Sequence, residues 1–200
     1  ISSLPDDGCR GWNAIADRIK GELSNRNHSK TILVIECYTG VFEDEIKKAL
    51  QQQLKPSLIL MTKDAFLPES KIENLVEPFL GGDDPVFGWL SNITIPQFFD
   101  PAKVNEMQEH IQSVPDGLIL LIGCGARLIA RGDLFIYADL TRWEAQLRQR
   151  RNEISNLGIE NRNESPNLQY KRAFFVDWRA CDRWKKSMMD QWDYYLDTNQ

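Results

Sequence analysis

Four short runs of consecutive apolar residues constrain the fold of this chain more than any other feature. They lie at residues 31–36 (TILVIE), 57–61 (SLILM), 117–122 (GLILLI) and 134–138 (LFIYA). Runs without polar alternation are typical of strands that are buried on both faces, and such strands occur in parallel sheets covered by helices. The segments between them carry helical patterns. The sequence therefore predicts a three-layer α/β fold, with a mostly parallel five-stranded sheet flanked by helices.

The segments between and after these runs complete the predicted element order. Trp12, Ile15, Ile19 and Leu23 follow helical spacing and predict a first amphipathic helix. Further helices are predicted for residues 41–54, 71–80, 100–112 and 141–156. They are followed by a polar loop, which we expect to be mobile, at 156–167, by an aromatic-rich helix at 168–190 and by a fifth strand at 192–196.

The length of 200 residues suits one domain. We predict a single kinase-like α/β domain over residues 1–200. It begins with an N-terminal helix and loop (1–30) and includes an Arg-rich, lid-like helix and loop (141–167). The first residue is Ile1 rather than Met, so we expect the chain to be a fragment of a longer protein.

Composition disfavours several classes of function. The net charge of −5 argues against a general nucleic-acid-binding protein, and no apolar run reaches the ~18 residues of a membrane span. The start does not have the pattern of a signal peptide. The four cysteines form no CxxC pair and predict reduced thiols in a cytoplasmic protein.

Only two histidines, His28 and His110, are present, so a zinc site built on several histidines is not expected. A nucleotide with bound Mg²⁺ stays open as a cofactor, because Mg²⁺ prefers oxygen ligands. The charge is also uneven. Residues 141–200 hold 11 Lys+Arg and 9 Asp+Glu, a net of +2, which leaves −7 for the other 140 residues. The basic balance favours an anion site in the C-terminal region.

The turn after the first strand, ECYTG, has the position of a phosphate-binding loop but lacks its motif. A working loop reads GxxxxGK[ST], in which bare amides surround the phosphates and the Lys reaches the terminal one. If Gly40 is the second glycine, Ile35 replaces the first and Val41 replaces the Lys, while Glu36 repels phosphate. The turn is either a degenerate phosphate site or an ordinary strand–helix turn with Gly40 in a special backbone conformation.

Three further segments could contribute to a site at the strand ends. Asp64 follows the second strand and is either a general base for a substrate hydroxyl or a loop cap. Residues 83–89 (DDPVFGW) could position a sugar or a cation, or simply form a turn. Gly123 and Gly125 expose amides that could form an anion-binding nest, whereas Cys124 has no neighbouring histidine that would activate it.

The basic C-terminal helices supply the strongest candidates for phosphate binding. Arg148 and Arg151 lie one turn apart on a predicted helix, and guanidinium groups match phosphate oxygens. The same arginines could instead pair with Glu144 and Glu153 on a solvated face. Lys171 and Arg172 could point into the same cleft, although the aromatic residues around them suit a helix packed on the core.

The order of these pieces resembles P-loop kinases of the uridine kinase and phosphoribulokinase type. The resemblance covers about residues 30–155 and depends on Asp64 and Phe66 after the second strand, on the turn around Pro85, and on residues 133–151, where an Asp-led strand runs into an Arg-rich segment. The Walker lysine is missing. The resemblance implies a P-loop-kinase-like fold with a degenerate phosphate loop.

A second resemblance covers nearly the whole chain. The strings VIECYTGV, DDPVFG, FFDPAK, DLFIYADLTRWEAQLRQRRNE, NLQYKRAFFVDWRACDRWKK and DYYLDTN resemble the N-terminal region of bacterial proteins classed as class I mannose-6-phosphate isomerases. There, a kinase-like domain precedes a cupin-type isomerase domain that holds the zinc. The resemblance implies that such a domain is this chain's partner in the parent protein. No residue here matches the zinc ligands.

Three functional hypotheses follow. The first is a degenerate kinase-like domain that binds a sugar phosphate or nucleotide through Gly40, Gly123, Gly125, Arg148, Arg151, Lys171 and Arg172, with Asp64 on a hydroxyl. The second is an active small-molecule kinase in which Asp64 is the base and the arginines stabilise the transferring group. The third is a non-catalytic interaction module that uses aromatic residues near the C-terminus. Neither nucleic acid nor membrane is expected as a partner.

Overall fold

The predicted parallel sheet is confirmed by a computed structural model, which describes residues 8–26 and 28–199. Residues 1–7, 27 and 200 lie outside the described residues, so the predicted segment 1–30 is described only in part. Five strands pair in the order β2-β3-β1-β4-β5, and every pairing is parallel. The strands are β1 Lys30–Cys37, β2 Leu58–Met61, β3 Gly117–Gly123, β4 Leu134–Asp139 and β5 Tyr194–Asp197.

Eight α-helices connect and cover these strands within the described residues. They are α1 Trp12–Asn25, α2 Glu43–Leu54, α3 Glu69–Val76, α4 Pro101–Ser113, α5 Ala126–Ile129, α6 Arg142–Arg150, α7 Pro166–Arg172 and α8 Trp178–Lys186. A π-helical turn, Ala173–Asp177, joins α7 to α8, so the long aromatic-rich helix predicted for 168–190 is broken in the middle. Short 3₁₀ turns follow β2 and precede α4.

The apolar runs form the strands because both faces of the sheet are covered. In the central strand β1, Leu33 is paired with Leu120 of β3 and with Leu134 of β4, and all three side chains are buried. Fully burying a side chain of this size contributes about 1.5–3 kcal/mol. The edge strand β5 is different, because its side chains alternate between half-buried and exposed.

The basic helix predicted for 141–156 ends early, at Arg150. Asn152 adopts a left-handed conformation with φ of 56°. The amide of Asn152 donates to the carbonyl of Gln149 (3.0 Å), and that of Glu153 donates to the carbonyl of Arg148 (2.9 Å). These two bonds form a Schellman motif, which stops a helix and which Asn tolerates better than most residues.

The polar stretch 156–167, which we expected to be mobile, is held by buried hydrogen bonds. Asn156 Nδ2 donates to the carbonyl of Gln169 (3.1 Å) and to Asp177 Oδ2 (2.6 Å). Gln169 Nε2 in turn donates to the carbonyl of Asn161 (2.6 Å). The polar composition predicted a solvated loop, but the amide side chains form hydrogen bonds with one another and with the backbone instead.

No described helix is long and apolar enough to cross a membrane.

Substitution of Gly125 tests how closely the end of β3 is packed. Gly125 has φ of 83°, and a Cβ atom there would lie 2.6 Å from the buried ring of Phe99. We expect Gly125→Ala to lower the free energy of unfolding by about 2–4 kcal/mol, measured by urea denaturation. Gly21→Ala is the matched control: it lies in the middle of α1 with open space around it, and should raise stability by about 0.5–1 kcal/mol. Equal effects at both positions would contradict this packing.

Candidate functional site

A cleft of about 300 Å³ opens at the carboxyl ends of the strands, where ligands bind in open α/β sheets. Its walls come from the turn after β1 and the start of α2, the turns after β2 and β3, and the segment after α6. The lining residues are Thr39–Asp44, Lys63, Phe66, Cys124, Glu153–Gly158, Glu160 and Arg162. Four acids and two bases line this space, so the cleft is acidic when all of them are ionised.

The turn between β1 and α2 lacks the groups that surround a phosphate in a P-loop. Only residues 38–42 separate the two elements. Gly40 has φ of 94°, and a Cβ atom there would lie 3.1 Å from Ile154 Cδ1, so the glycine allows the segment after α6 to approach. The first turn of α2 carries Glu43, Asp44 and Glu45. These acids occupy the helix N-terminus, where a phosphate would otherwise be stabilised by free amides and by the helix dipole.

The amides after β3 are already bound by a carboxylate of the chain itself. The backbone N–H groups of Gly125 and Arg127 donate to the two oxygens of Glu36, at 2.5 Å and 2.9 Å. The nest expected at Gly123 and Gly125 therefore holds a carboxyl group of the chain itself. Burial raises the pKa of Glu36 to about 7, although the two amides oppose that rise. The indole N–H of Trp184 lies near this carboxyl but outside hydrogen-bond geometry.

A second carboxylate, Glu43, repeats this arrangement one turn away. Its Oε1 accepts from the amide of Cys124 at 3.2 Å. Burial raises the pKa of Glu43 to about 7, while the Cys124 amide and Lys63 act in the opposite direction. Asp64, the candidate base, is exposed on the turn after β2 and is near enough to Glu43 to raise that pKa further. Lys63 forms an exposed ion pair with Asp44 (3.0 Å).

Arg148 is buried, with 1% of its surface exposed, and its donors are used within the chain. Nε donates to Glu144 Oε1 (3.0 Å), Nη1 to the carbonyl of Gly40 (2.9 Å) and Nη2 to the carbonyl of Thr198 (2.6 Å). The guanidinium also lies 3.9 Å from the ring centroid of Phe42. These bonds connect the turn after β1 to α6 and to the chain after β5. Arg148 therefore has a structural role, and its guanidinium is not accessible to a ligand.

Arg151 is more accessible than Arg148 but is also paired. It contacts Glu144 (3.1 Å) and Glu153 (2.9 Å), and 42% of its side chain is exposed. Burial alone would raise the pKa of Glu144, but the hydrogen bonds from both arginines hold that pKa below its usual value. The alternative interpretation of the basic helix, pairing with its own acids, therefore describes the observed contacts.

Lys171 and Arg172 are buried and lie outside the lining of the cleft. Lys171 Nζ donates to the carbonyl of Asp84. Arg172 Nη2 donates to the carbonyl of Leu157 (2.8 Å), and Nε lies 3.6 Å from Asp177, a carboxyl whose pKa is raised by burial. Arg172 thus supports the wall of the cleft from behind.

Two residues of the cleft, Glu160 and Arg162, were not candidates in the sequence. Arg162 pairs with Glu160 at 2.7 Å on the rim, in a segment that composition marked only as polar. In the sequence, Glu36 is an acid at the end of an apolar run. A buried carboxyl group of this kind is unusual, and it is the signal that could have marked Glu36 as a site residue. Cys124 and Cys181 lie 57 positions apart, yet their sulfur atoms are 3.9 Å apart. Within the described residues, no cluster of three or more His, Cys, Asp or Glu is arranged to hold a metal ion.

Substitution of Arg148 separates a structural role from a ligand-binding one. Arg148→Ala leaves Glu144 buried with its closest partner gone, so we expect the free energy of unfolding to fall by about 3–5 kcal/mol. The control is Arg151→Ala, which removes a partly exposed pair to the same carboxylate and should cost less than about 1 kcal/mol. Urea denaturation of both variants measures the difference. Similar values would show that Arg148 does not hold the turn.

The pH dependence of stability tests the buried Glu36 carboxyl. In the unfolded chain Glu36 ionises near pH 4.5, whereas in the folded chain it keeps its proton until about pH 7. The folded state therefore binds more protons in this window, and the stabilisation present below pH 4.5 is lost as pH rises to 7. The shift corresponds to about 3 kcal/mol.

Glu36→Gln, which stays neutral, should lose correspondingly less stability over the same range. Denaturation curves between pH 4.5 and pH 8 for both proteins measure the difference, and other carboxyls such as Glu43 cancel in the comparison. Parallel profiles would show that Glu36 ionises normally in the folded chain.

Comparison with known proteins places this geometry in a family. A search of curated proteins finds no match. A crystal structure described as that of a "putative fructose transport system kinase" from Silicibacter sp. TM1040 superposes with a TM-score of 0.52 at 14% identity, covering 94% of this chain and 100% of that one. At this identity the match concerns the fold, and it confirms the kinase-like α/β architecture. A family model described as "Domain of unknown function (DUF8485)" matches residues 11–200, and the chain belongs to that family.

Proposed function

We propose that this chain is a kinase-like domain that does not transfer phosphoryl groups and that binds a small phosphorylated molecule, a sugar phosphate or a nucleotide, in its strand-end cleft. One observation carries the proposal. The amides after β3, which the sequence offered as an anion nest, are occupied by Glu36 and Glu43 through residues 124, 125 and 127, and no Walker lysine follows the turn after β1. A phosphate could use these donors only by displacing the two side chains.

The charges of the cleft suit a ligand with hydroxyl groups and one phosphate. The carboxyl groups of Glu43, Asp44 and Glu153 line the cleft and can accept hydrogen bonds from hydroxyl groups; Glu43 is half-buried, whereas Asp44 and Glu153 are exposed. Lys63 and Arg162 line the same space and are held only by exposed ion pairs, which contribute little and exchange readily. Both cations are therefore free to turn from their acidic partners to a phosphate. Of the predicted arginines, Arg151 is the accessible one, and its ion pair with Glu153 of the cleft lining places it where it could join them.

The other predicted ligand residues could bind a phosphate only if contacts within the chain were broken. Binding through Arg148, Lys171 or Arg172 requires breaking buried contacts, and binding at Gly123 and Gly125 requires moving Glu36. Gly40 contributes through its backbone shape, and Asp64 is placed to contact a hydroxyl from the exposed turn after β2. We place the phosphate at the rim for this reason.

A non-catalytic interaction module is the second candidate. It is favoured by a group of large apolar side chains on the surface, among them Phe87 and Trp89, which are 70% and 65% exposed. The aromatic residues near the C-terminus contribute less than the sequence suggested, because Trp184, Trp192 and Tyr194 are half-buried and only Tyr195 is exposed.

A parent protein of the mannose-6-phosphate isomerase type and a cytoplasmic location are proposals that rest on the sequence. The resemblance of the quoted strings supports the first, whereas no match reported above is to an isomerase. The four cysteines, all free thiols, support the second.

Calorimetry and an ADP-release assay together test the main proposal. We expect a hexose phosphate or a nucleoside monophosphate to bind, and Arg162→Ala to weaken that binding by about tenfold, the effect of one charge-assisted contact. Lys186→Ala, an exposed cation outside the cleft, is the control and should leave the affinity unchanged. With ATP, Mg²⁺ and a panel of sugars and nucleosides, ADP release should not exceed background.

Each assay can overturn one half of the proposal. Release of ADP above background would establish an active kinase with Asp64 as the candidate base. Failure of every phosphorylated compound to bind would reject the ligand site and leave the interaction module.

A further inference from the structure

The loop after α3 displays four large apolar side chains to solvent. Val86, Phe87, Trp89 and Leu90 are between 62% and 70% exposed. Scattered exposed apolar residues are common, but four within five positions form a patch, and such patches mark interaction sites. We call this group, together with Tyr170 of α7, the apolar stripe.

Hydrogen bonds from Asp84 and Lys171 stabilise the loop that carries the stripe. Asp84 Oδ1 accepts from the amides of Val86 (2.7 Å) and Phe87 (2.8 Å), and Lys171 donates to the Asp84 carbonyl. Acceptance from these two amides lowers the pKa of Asp84. Of the two acids that we expected to position a sugar or a cation, Asp84 instead stabilises the loop through its bonds to these amides.

Backbone pairing fixes the other end of the loop. The amide of Trp89 donates to the carbonyl of Phe79 (2.8 Å), and that of Ser91 donates to the carbonyl of Phe175 (2.9 Å). Gly88 lies so close to the ring of Phe175 that a Cβ atom would meet it at 2.8 Å. The aromatic side chains are thus presented in one geometry, which reduces the entropy lost when a partner binds.

The stripe continues across α7 towards an exposed base on α6. Asn167 and Tyr170 line two adjacent hollows, one shared with Val86 and Phe87 and the other shared with Arg150 of α6. Arg150 is exposed and lies 5.9 Å from the ring centroid of Trp143, itself 60% exposed. Asp83, which precedes the loop residues of the stripe in sequence, is an exposed acid. The surface therefore combines an apolar centre with one exposed base and one exposed acid.

The exposed area is that of one side of a protein–protein interface. The four loop residues expose roughly 500 Å² of apolar surface, and Tyr170 and Trp143 bring the total to roughly 750 Å². A standard interface buries about 800 Å² on each partner. Aromatic residues at the centre with charges at the rim are the usual composition of such surfaces.

We propose that the apolar stripe is the contact surface for a second copy of this chain. A two-fold axis through the stripe sets Phe87 and Trp89 against the same group of the other copy. It also brings Asp83 of one copy to Arg150 of the partner subunit, and the reverse, so the surface is complementary to itself. This inference does not depend on the proposed ligand site, which lies at the strand ends.

Sedimentation velocity over a hundredfold range of protein concentration, starting at about 1 µM, tests the proposal. We expect a reversible monomer–dimer equilibrium. Phe87→Ser and Trp89→Ser should each weaken the dimer by at least tenfold, as for central aromatic residues of an interface. Met189→Ser is the control, because Met189 is 56% exposed but lies three residues after α8, outside the stripe, and its substitution should leave the equilibrium unchanged.

A charge exchange tests the orientation without removing apolar surface. Asp83→Arg and Arg150→Glu should each weaken the dimer about tenfold, and the double variant should restore it, because the two charges then attract again. A protein that stays monomeric at every concentration would overturn the proposal. So would a dimer that Phe87→Ser and Trp89→Ser leave intact, or charge variants that fail to compensate in the double variant.

Discussion

The buried guanidinium of Arg148 is the interaction on which the ligand-side edge of this domain depends. It joins three segments that are far apart in sequence, through the carbonyls of Gly40 and Thr198 and the carboxylate of Glu144. Taking such a group out of water costs several kcal/mol unless all its donors are satisfied. Here each of the three nitrogens has an acceptor and the Phe42 ring covers the guanidinium. The turn after β1 is therefore fixed by an internal cation rather than shaped by a ligand.

The same principle explains the two buried carboxyls at the strand ends. Amides at the start of a helix that follows a strand are strong donors and need an acceptor. In a nucleotide-binding domain the ligand supplies that acceptor, whereas here Glu36 and Glu43 supply it from β1 and α2. Both acids lose hydration in doing so, and their raised pKa values measure that loss.

The sequence predicted the sheet well because burial on both faces leaves a direct mark on composition. Runs such as GLILLI are typical of strands buried on both faces, and the four runs coincide with β1 to β4 within one residue at each end. The edge strand β5, at 194–197, overlaps the predicted segment 192–196 only in part. Helix ends were less predictable, since the stop at Arg150 depends on the left-handed Asn152 and on bonds that form only after folding. The polar segment around Asn156 and Gln169 shows the same limit, because amides that pair with each other have the composition of a solvated loop.

The candidate site was harder to predict than the fold because side-chain type does not reveal whether a charge is free. Arg148 and Arg151 look equivalent in sequence, and only packing makes the first buried and the second half-exposed. Lys171 and Arg172 likewise hold carbonyls of neighbouring loops. A helix pattern states which residues share a face, but it does not state what covers that face.

The centre and the periphery of the molecule differ in one physical respect. At the strand ends nearly every strong donor already has an acceptor from the same chain, so a ligand there must compete with internal groups for each contact. On the loop after α3, by contrast, hydrogen bonds hold the backbone at several points while the largest side chains remain in water. Binding free energy comes from contacts that are made only in the complex. Rigid apolar surface can supply it without breaking an existing contact, whereas a cleft whose cations are already paired with acids of the chain can do so only through the exchangeable ion pairs at its rim.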